Sequence, residues 1–139
     1  MKDVAEMRTS TRSVIEDLFG RITAAGWSEN FLAALDDGLI FTASGTSPVA
    51  GRYVGKRVYQ EELLKRLDER LESWPKPIVD NMIVDGDSAC VQFHSEGGLG
   101  KNGADFNMHY CWVMKLRDQK IVEITGYYDS AKMFALFKD

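Results

Sequence analysis

The second half of the chain, from residue 78 to residue 129, alternates strand-like segments with two short polar turns. This pattern most restricts the folds available to the chain. The segments "IVDNMIV" and "SACVQFHSE" flank the turn "DGD", and "ADFNMHYCWVMKL" and "IVEITGYYD" flank the turn "RDQK". Short turns between β-rich segments are typical of hairpins. We therefore expect antiparallel strands that follow one another along the sheet.

The first half of the chain has a helical period instead. From Val4 to Ile22, apolar residues recur every three or four positions, which predicts one amphipathic helix. Asp3 and Glu6 have the spacing of a capping box at its start, and Gly26 is a suitable end. A long helix is thus expected before the strands.

Three further helices are predicted. A short one begins at Ser28 and ends near "DDG" (residues 36–38), before the strand "LIFTA". A longer one runs from Tyr59 to Trp74 and is ended by Pro75 and the next proline. The segment "SAKMFALFKD" closes the chain as a short helix, with Ser130 as its expected N-cap.

Helices followed by a meander of strands predict an α+β fold, with helices on one face of a curved sheet that encloses a pocket. At 139 residues, the chain is expected to form one domain, residues 1–139. The net charge of −4 disfavours a nucleic acid partner, and no apolar run is long enough to span a membrane. Two cysteines and a charged start without an apolar leader favour a reducing, cytoplasmic location.

Polar side chains concentrate on one face of each late strand, because residues two apart in a strand share a face. These faces carry Cys90, Gln92, His94 and Glu96; then Asn107, His109 and Cys111; then Thr125, Tyr127 and Asp129. If the faces point inward, His94, Glu96, His109, Tyr127 and Asp129 converge on one cavity. If they point outward, these residues are solvated. The sequence leaves both interpretations open.

Other kinds of site have weaker support. A metal site built from His94, Glu96, His109 and Asp129 has suitable ligand types but no short-spacing signature. A nucleophilic Cys90 or Cys111 is less expected, because a strand cysteine is usually a small apolar residue. The stretch "SPVAGRYVGKR" is not a phosphate-binding loop, since only three residues separate its glycines and no hydroxyl follows the lysine.

Two long segments carry a resemblance to a known family. "GWSENFLAALDDGLIFTASGTSPVAGRYVGKRVYQEEL" and "HYCWVMKLRDQKIVEITGYYD" resemble the SnoaL-like polyketide cyclase family, which belongs to the nuclear transport factor 2 and ketosteroid isomerase-like superfamily. The resemblance implies a cone-shaped, curved antiparallel sheet wrapped around helices (a cystatin-like fold), an apolar cavity and a homodimer formed through the sheet. It also implies that "AGRYVGK" is the turn from the first strand into the long helix, with glycines that allow unusual backbone angles.

The resemblance also suggests catalytic residues. Steroid isomerases of the superfamily use an Asp and a Tyr at positions that fall at Thr42 and near Phe19 here, so their reaction is not expected. Asp129 matches an aspartate that acts as acid or base in related cyclases and limonene-type epoxide hydrolases, and His94 and His109 would assist it. The alternative role for Asp129 is to cap the final helix.

The expected function is binding of a small apolar molecule, with or without rings, by a cofactor-independent isomerase, cyclase or hydratase that needs no metal. The alternatives are a non-catalytic binding protein and a protein-interaction module that uses the outer face of the sheet. Expected substrate contacts are Trp27, Phe41, Phe93, Glu96, Asn107 and Tyr127, and pocket size is expected to depend also on Phe106 and Trp112.

Overall fold

A computed structural model describes residues 3–139 of the chain. The helices are α1 (Val4–Ala25), α2 (Ser28–Leu32), α3 (Lys56–Tyr59), α4 (Lys65–Arg70) and α5 (Ser130–Leu136). The strands are β1 (Leu35–Ala43), β2 (Gly51–Val54), β3 (Leu71–Ser73), β4 (Lys76–Asp85), β5 (Ser88–Glu96), β6 (Leu99–Gly100), β7 (His109–Arg117) and β8 (Lys120–Tyr127). A π-helical turn, Gln60–Leu64, joins α3 to α4, so residues 56–70 form one continuous helix, called here the long helix.

Six strands form the main sheet, in the order β2-β1-β8-β7-β5-β4. Neighbouring strands are antiparallel except β1 and β8, which run parallel. The small strands β3 and β6 pair separately. The predicted α+β fold with helices on a curved sheet is confirmed. No helix within residues 3–139 is long and apolar enough to cross a membrane.

Helix α1 forms as its sequence predicts. The Asp3 carboxylate accepts a hydrogen bond of 2.8 Å from the Glu6 backbone N–H, and the chain leaves the helix at Gly26 with φ of 93°. The buried face of α1 packs against β4 and β5. Its fully buried apolar side chains are Ile15, Leu18, Phe19 and Ile22.

The glycines of "AGRYVGK" have the architectural role that was expected. Gly51 begins β2 with φ of 146°, and Gly55 precedes α3 with φ of 103°. Residues with a Cβ rarely adopt these angles. The two glycines therefore let the chain turn out of β1 and enter the long helix within a few residues.

Two predicted helix ends are wrong. Helix α2 stops at Leu32, and "DDG" lies inside β1, where the Asp36 carboxylate accepts a hydrogen bond from the Gly38 backbone N–H. The long helix stops at Arg70, because Leu71–Ser73 becomes strand β3 and pairs with β6. β6 lies within "GGLGKNG", a glycine-rich segment between two of the predicted strands. Its pairing partner is almost thirty residues away, so local periodicity does not reveal it.

Alternation along the central strands separates an inner face, covered by helices, from an outer face. The buried inner residues of β5 and β7 are Ala89, Val91, Phe93, Ser95, Tyr110, Trp112, Met114 and Leu116. Those between them, including His94 and His109, are exposed or half-buried. The core therefore lies between the inner face and the helices.

Candidate functional site

A pocket of about 600 Å³ opens between α2, the long helix and the inner face of β7. Its walls are mostly aromatic and aliphatic, and all three tryptophans of the chain contribute to them. Concave apolar sites of this size are typical of small-molecule binding. The lining residues are Gly26, Trp27, Ser28, Phe31, Leu32, Val49, Tyr59, Gln60, Leu63, Leu64, Lys65, Leu67, Asp68, Trp74, Pro75, Phe106, Tyr110, Trp112, Tyr128 and Met133.

Trp112 lies at the centre of the aromatic core. Five rings surround it with centroid separations of 5.3 to 6.2 Å, those of Phe19, Trp27, Phe31, Phe41 and Phe93. Its side chain is buried, and its indole N–H has no hydrogen-bond acceptor among the residues that the structure describes. A buried donor without a partner is uncommon, because burial removes its bonds to water.

The Tyr128 hydroxyl lies beside this indole. Gly126 pairs with Trp112 across β7 and β8, and the Tyr128 ring lies over this glycine so closely that a Cβ there would be 2.7 Å from the ring carbon Cζ. Burial raises the pKa of Tyr128 well above its ordinary value. The nearby Trp112 N–H partly opposes this rise in pKa, although its distance and angle to the hydroxyl are not those of a hydrogen bond. The phenol is therefore a neutral donor at pH 7.

Two further tyrosines line the pocket as neutral phenols. Burial raises the pKa of Tyr59, and it raises the pKa of Tyr110 to about 12 although the Ser95 hydroxyl lies 3.4 Å from the Tyr110 oxygen. Phe41 stacks on Tyr59 at 4.3 Å, and Phe93 stacks on Tyr110 at 4.6 Å. These two phenylalanines thus lie behind the pocket wall and fix the tyrosine rings.

The other two tryptophans have their donors satisfied. The Trp27 indole N–H donates to the Pro75 carbonyl oxygen at 2.7 Å, and the Trp74 indole N–H donates to the Asp68 carboxylate at 2.9 Å. Both bonds join helical segments to the residues that follow β3. They hold one side of the pocket in place.

The residues expected to contact substrate divide into two groups. Trp27, together with Phe106 and Trp112, lines the pocket, whereas Phe41 and Phe93 are buried just behind it. The remaining three lie elsewhere. Glu96 and Tyr127 are exposed on the outer face, and the Asn107 side chain bonds the backbone of Gly98 and the carboxylate of Asp105.

The two histidines face each other on the outer face. His94 pairs with His109 across β5 and β7, with ring centroids 5.8 Å apart. His94 Nδ1 lies 2.9 Å from the Asp80 carboxylate, and its Nε2 lies 3.8 Å from Glu96. The hydrogen bond to Asp80 raises the pKa of His94. Since neither histidine lines the pocket, the polar faces of these strands point outward, as the second interpretation held. The catalytic roles of His94 and His109 stay predictions.

Asp129 ends β8 and begins the last helix. Its carboxylate accepts a hydrogen bond of 3.0 Å from the Ala131 backbone N–H, so Asp129, not Ser130, is the N-cap of α5. Asp129 is exposed and does not line the pocket, although Tyr128 before it and Met133 in α5 do.

Within the described residues, neither the metal site nor the cysteine nucleophile considered from the sequence is complete. The sulfur atoms of Cys90 and Cys111 lie 3.4 Å apart as free thiols on the outer face, and burial raises the pKa of Cys90. Within residues 3–139, no three His, Cys, Asp or Glu side chains are grouped so as to hold a metal ion.

Sequence reasoning missed Tyr59, Tyr110, Tyr128 and Met133 as pocket residues. One signal was available for Tyr128. Tyr127 and Tyr128 follow Gly126, and only the second can fold back over a residue that has no side chain. Tyr110 alternates with His109 and Cys111 along its strand, so the sequence places it on the opposite face but does not show which face is inside.

Solved structures of other proteins share this fold. An NTF2-like protein of unknown function from Burkholderia pseudomallei superposes with a TM-score of 0.77 at 14% identity, covering 94% of this chain and 98% of that one. TerC, co-crystallised with polyporic acid, superposes with a TM-score of 0.74 at 15% identity, covering 91% and 97%. An epoxide hydrolase of the LEH-like type from Mycobacterium tuberculosis gives a TM-score of 0.65 at 19% identity, covering 93% and 90%. At these identities the likeness shows the fold alone.

The family is assigned from the sequence and not from these structures. A search of curated proteins finds no match, but the profile of the SnoaL-like domain matches residues 15–124, which is most of the chain. Proteins with this fold are often isomerases, cyclases or epoxide hydrolases. The chain belongs to the SnoaL-like domain family.

Proposed function

We propose that this protein binds a small, ring-containing, mostly apolar molecule in the pocket between the long helix and β7. The observation that carries the proposal is a cavity of about 600 Å³ whose walls include all three tryptophans and three neutral tyrosines. Aromatic walls favour flat or cyclic ligands, because rings stack face to face or edge to face. TerC, which shares this fold, was crystallised with polyporic acid.

A thermal-shift screen tests this proposal directly. The compounds are sterols, aromatic ketones and cyclic epoxides. A ligand at one hundred times its Kd stabilises the folded state by about 2.7 kcal/mol, which corresponds to several degrees in a protein of this size. We expect a shift confined to one chemical class. No shift with any class would count against a small-molecule pocket.

A matched pair of variants locates the binding. Leu64→Arg introduces a charge into the pocket wall, where Leu64 is half-buried, and is expected to abolish the shift. His109→Ala changes an exposed side chain on the outer face and is expected to keep it. A shift that survives Leu64→Arg and disappears in His109→Ala would move the site to the outer face.

The second candidate is a cofactor-independent isomerase, cyclase or hydratase built on the same pocket. The epoxide hydrolase with the same fold supports this class of chemistry. Asp129 is the acid–base group to test first, because it directly follows Tyr128, which lines the pocket. The turnover of Asp129→Asn, measured on the compound class found by the screen, separates catalysis from binding alone.

We also propose that two copies pair through the outer face of the sheet. Large apolar side chains exposed there include Ile83, which is 59% exposed, Tyr127, which is 50% exposed, and Val113, which is 42% exposed. Gln92, Cys111 and Thr125 lie among them and carry no charge. An apolar, uncharged patch of this kind favours a self-complementary interface.

A further inference from the structure

We propose that Cys90 and Cys111 form a redox-active thiol pair on the outer face of the sheet, which closes to a disulfide within one chain. Their sulfur atoms lie 3.4 Å apart, and both cysteines are free and half-buried. A disulfide bond is about 2.05 Å long, so the sulfur atoms need to approach each other by about 1.4 Å. Small rotations about the two Cα–Cβ bonds supply a movement of this size.

The strand register places the two thiols together. Gln92 pairs with Cys111 and Cys90 pairs with Val113, so the two cysteines are diagonal neighbours on the antiparallel strands β5 and β7. Diagonal neighbours lie farther apart than directly opposed residues, so a disulfide between them draws the two strands together. Strained or exposed disulfides are the labile ones. We therefore expect a reversible bond and not a permanent structural one.

The surroundings of the pair favour a disulfide over a metal site. The residues paired with the two cysteines on the neighbouring strands are uncharged: Ile83, Gln92, Val113 and Tyr127. Within residues 3–139, no group of three His, Cys, Asp or Glu side chains could hold a metal ion. Burial and the adjacent Cys111 thiol raise the pKa of Cys90, whereas a metal binds the thiolate. The same raised pKa makes exchange slow, because only the thiolate attacks a disulfide.

The oxidant in this reaction is a small disulfide, such as oxidised glutathione. The thiolate of one cysteine attacks a sulfur of this disulfide and releases one glutathione, which leaves a mixed disulfide on the protein. The second cysteine loses its proton to water and attacks the protein sulfur of the mixed disulfide, which releases the second glutathione. Two protons and two electrons thus leave the cysteines, one protein disulfide forms, and one glutathione disulfide is reduced to two glutathione thiols.

The position of the pair connects its redox state to the pocket wall. Val91 pairs with Trp112, and these two residues directly follow Cys90 and Cys111 along the chain. Their side chains are buried on the inner face, where Trp112 lines the pocket. A disulfide that draws β5 and β7 together therefore acts on the two strands at the point that carries the Trp112 ring.

Oxidation of the full chain in glutathione buffers, followed by mass spectrometry, tests this inference. The chain is kept dilute, because pairing of two copies through the outer face would cover Cys111. The wild-type chain should lose two hydrogen atoms and both free thiols, whereas Cys90→Ser and Cys111→Ser should each stop at the mixed disulfide with one glutathione. At a fixed concentration of reduced glutathione, the folded chain should be half oxidised at about ten-fold less oxidised glutathione than the chain unfolded in urea.

An NMR spectrum of the oxidised wild-type chain tests the connection to the pocket. The Trp112 indole N–H signal should shift, and the signal of Trp74, which follows the separate strand β3, should stay in place. An unmoved Trp112 signal would overturn that connection. The thiol pair itself would be overturned by a folded wild-type chain that keeps both thiols, stops at the mixed disulfide or becomes linked to a second copy on a non-reducing gel. Equal half-oxidation points for the folded and unfolded chains would overturn it as well.

Discussion

Gly126 lies directly under the ring of Tyr128, and this contact sets the position of the tyrosine in the pocket. A Cβ at Gly126 would come within 2.7 Å of Tyr128 Cζ and 3.0 Å of Cε2. Heavy atoms in proteins do not approach so closely, so a side chain here must displace the ring. Because Gly126 also pairs with Trp112, the absence of one side chain brings the phenol and the indole together.

We predict that Gly126→Ala weakens ligand binding by about ten-fold, since the added Cβ displaces the Tyr128 ring and changes the pocket wall that it forms. The loss of stability should be small, because the tyrosine side chain can swing away. Calorimetric titration with the compound found by the screen measures the effect. Gly20→Ala is the matched control. Gly20 lies in α1, and within residues 3–139 an added Cβ would meet open space beyond its chain neighbours and the helix's own backbone. Alanine there should stabilise the fold by about 0.5 to 1 kcal/mol and leave binding unchanged.

The cap of α5 gives a prediction about Asp129. Asp129→Ala removes the acceptor for the Ala131 N–H and should lower the free energy of unfolding by about 1 kcal/mol. Asp129→Asn keeps an acceptor and should retain most of that stability. Urea denaturation measures both variants. Normal stability combined with lost turnover in Asp129→Asn would assign the carboxylate to catalysis as well as to capping.

The His94–Asp80 pair predicts a pH dependence. The hydrogen bond to Asp80 raises the pKa of His94, so protonation of His94 favours the folded state. This contribution is fully present below the unfolded-state pKa of about 6.5, and it is lost as the pH rises through the higher folded-state pKa. An NMR titration of the imidazole signals should show a lower His94 pKa in Asp80→Asn. Asp37→Asn, on β1 and separated from β5 by two strands, is the control and should leave the His94 titration as in the wild type.

The apolar patch on the outer face predicts the oligomeric state. Sedimentation of the wild-type chain should give the mass of a dimer, and Val113→Arg should give a monomer, because a charge would be buried in the interface. Phe134→Arg removes an apolar side chain of similar exposure from α5, away from the sheet, and should leave the dimer intact. A wild-type monomer at high concentration would exclude pairing through this face.

Local signals in the sequence predicted much of the fold. The Asp3 cap, the two hairpin turns and the glycines of "AGRYVGK" each depend on residues a few positions apart, so a single sequence reveals them. The pairing of β3 with β6 and the parallel contact of β1 with β8 join segments far apart in the chain. No local period encodes such contacts, which is why the long helix was predicted to continue to Trp74.

The candidate site was harder to predict for a related reason. Alternation shows that His94 and Trp112 belong to opposite faces of adjoining strands, but helix packing decides which face is inside. Here α1 and the long helix cover the face of Phe93 and Trp112. The polar face, which carries the histidines proposed as catalytic residues, points outward. Trp27, Phe106 and Trp112 were nevertheless expected to shape the pocket, and they line it.

The central claim is that ligands bind on the inner face of the sheet, in the aromatic pocket. The most direct measurement is an NMR titration of the wild-type chain with 1-tetralone that follows the three indole signals and the two imidazole signals together. Because all three tryptophans line the pocket and both histidines lie outside it, we predict saturable shifts of the indole signals and unmoved imidazole signals. Saturable shifts of His94 and His109 with unmoved indoles would contradict the account and place binding on the outer face.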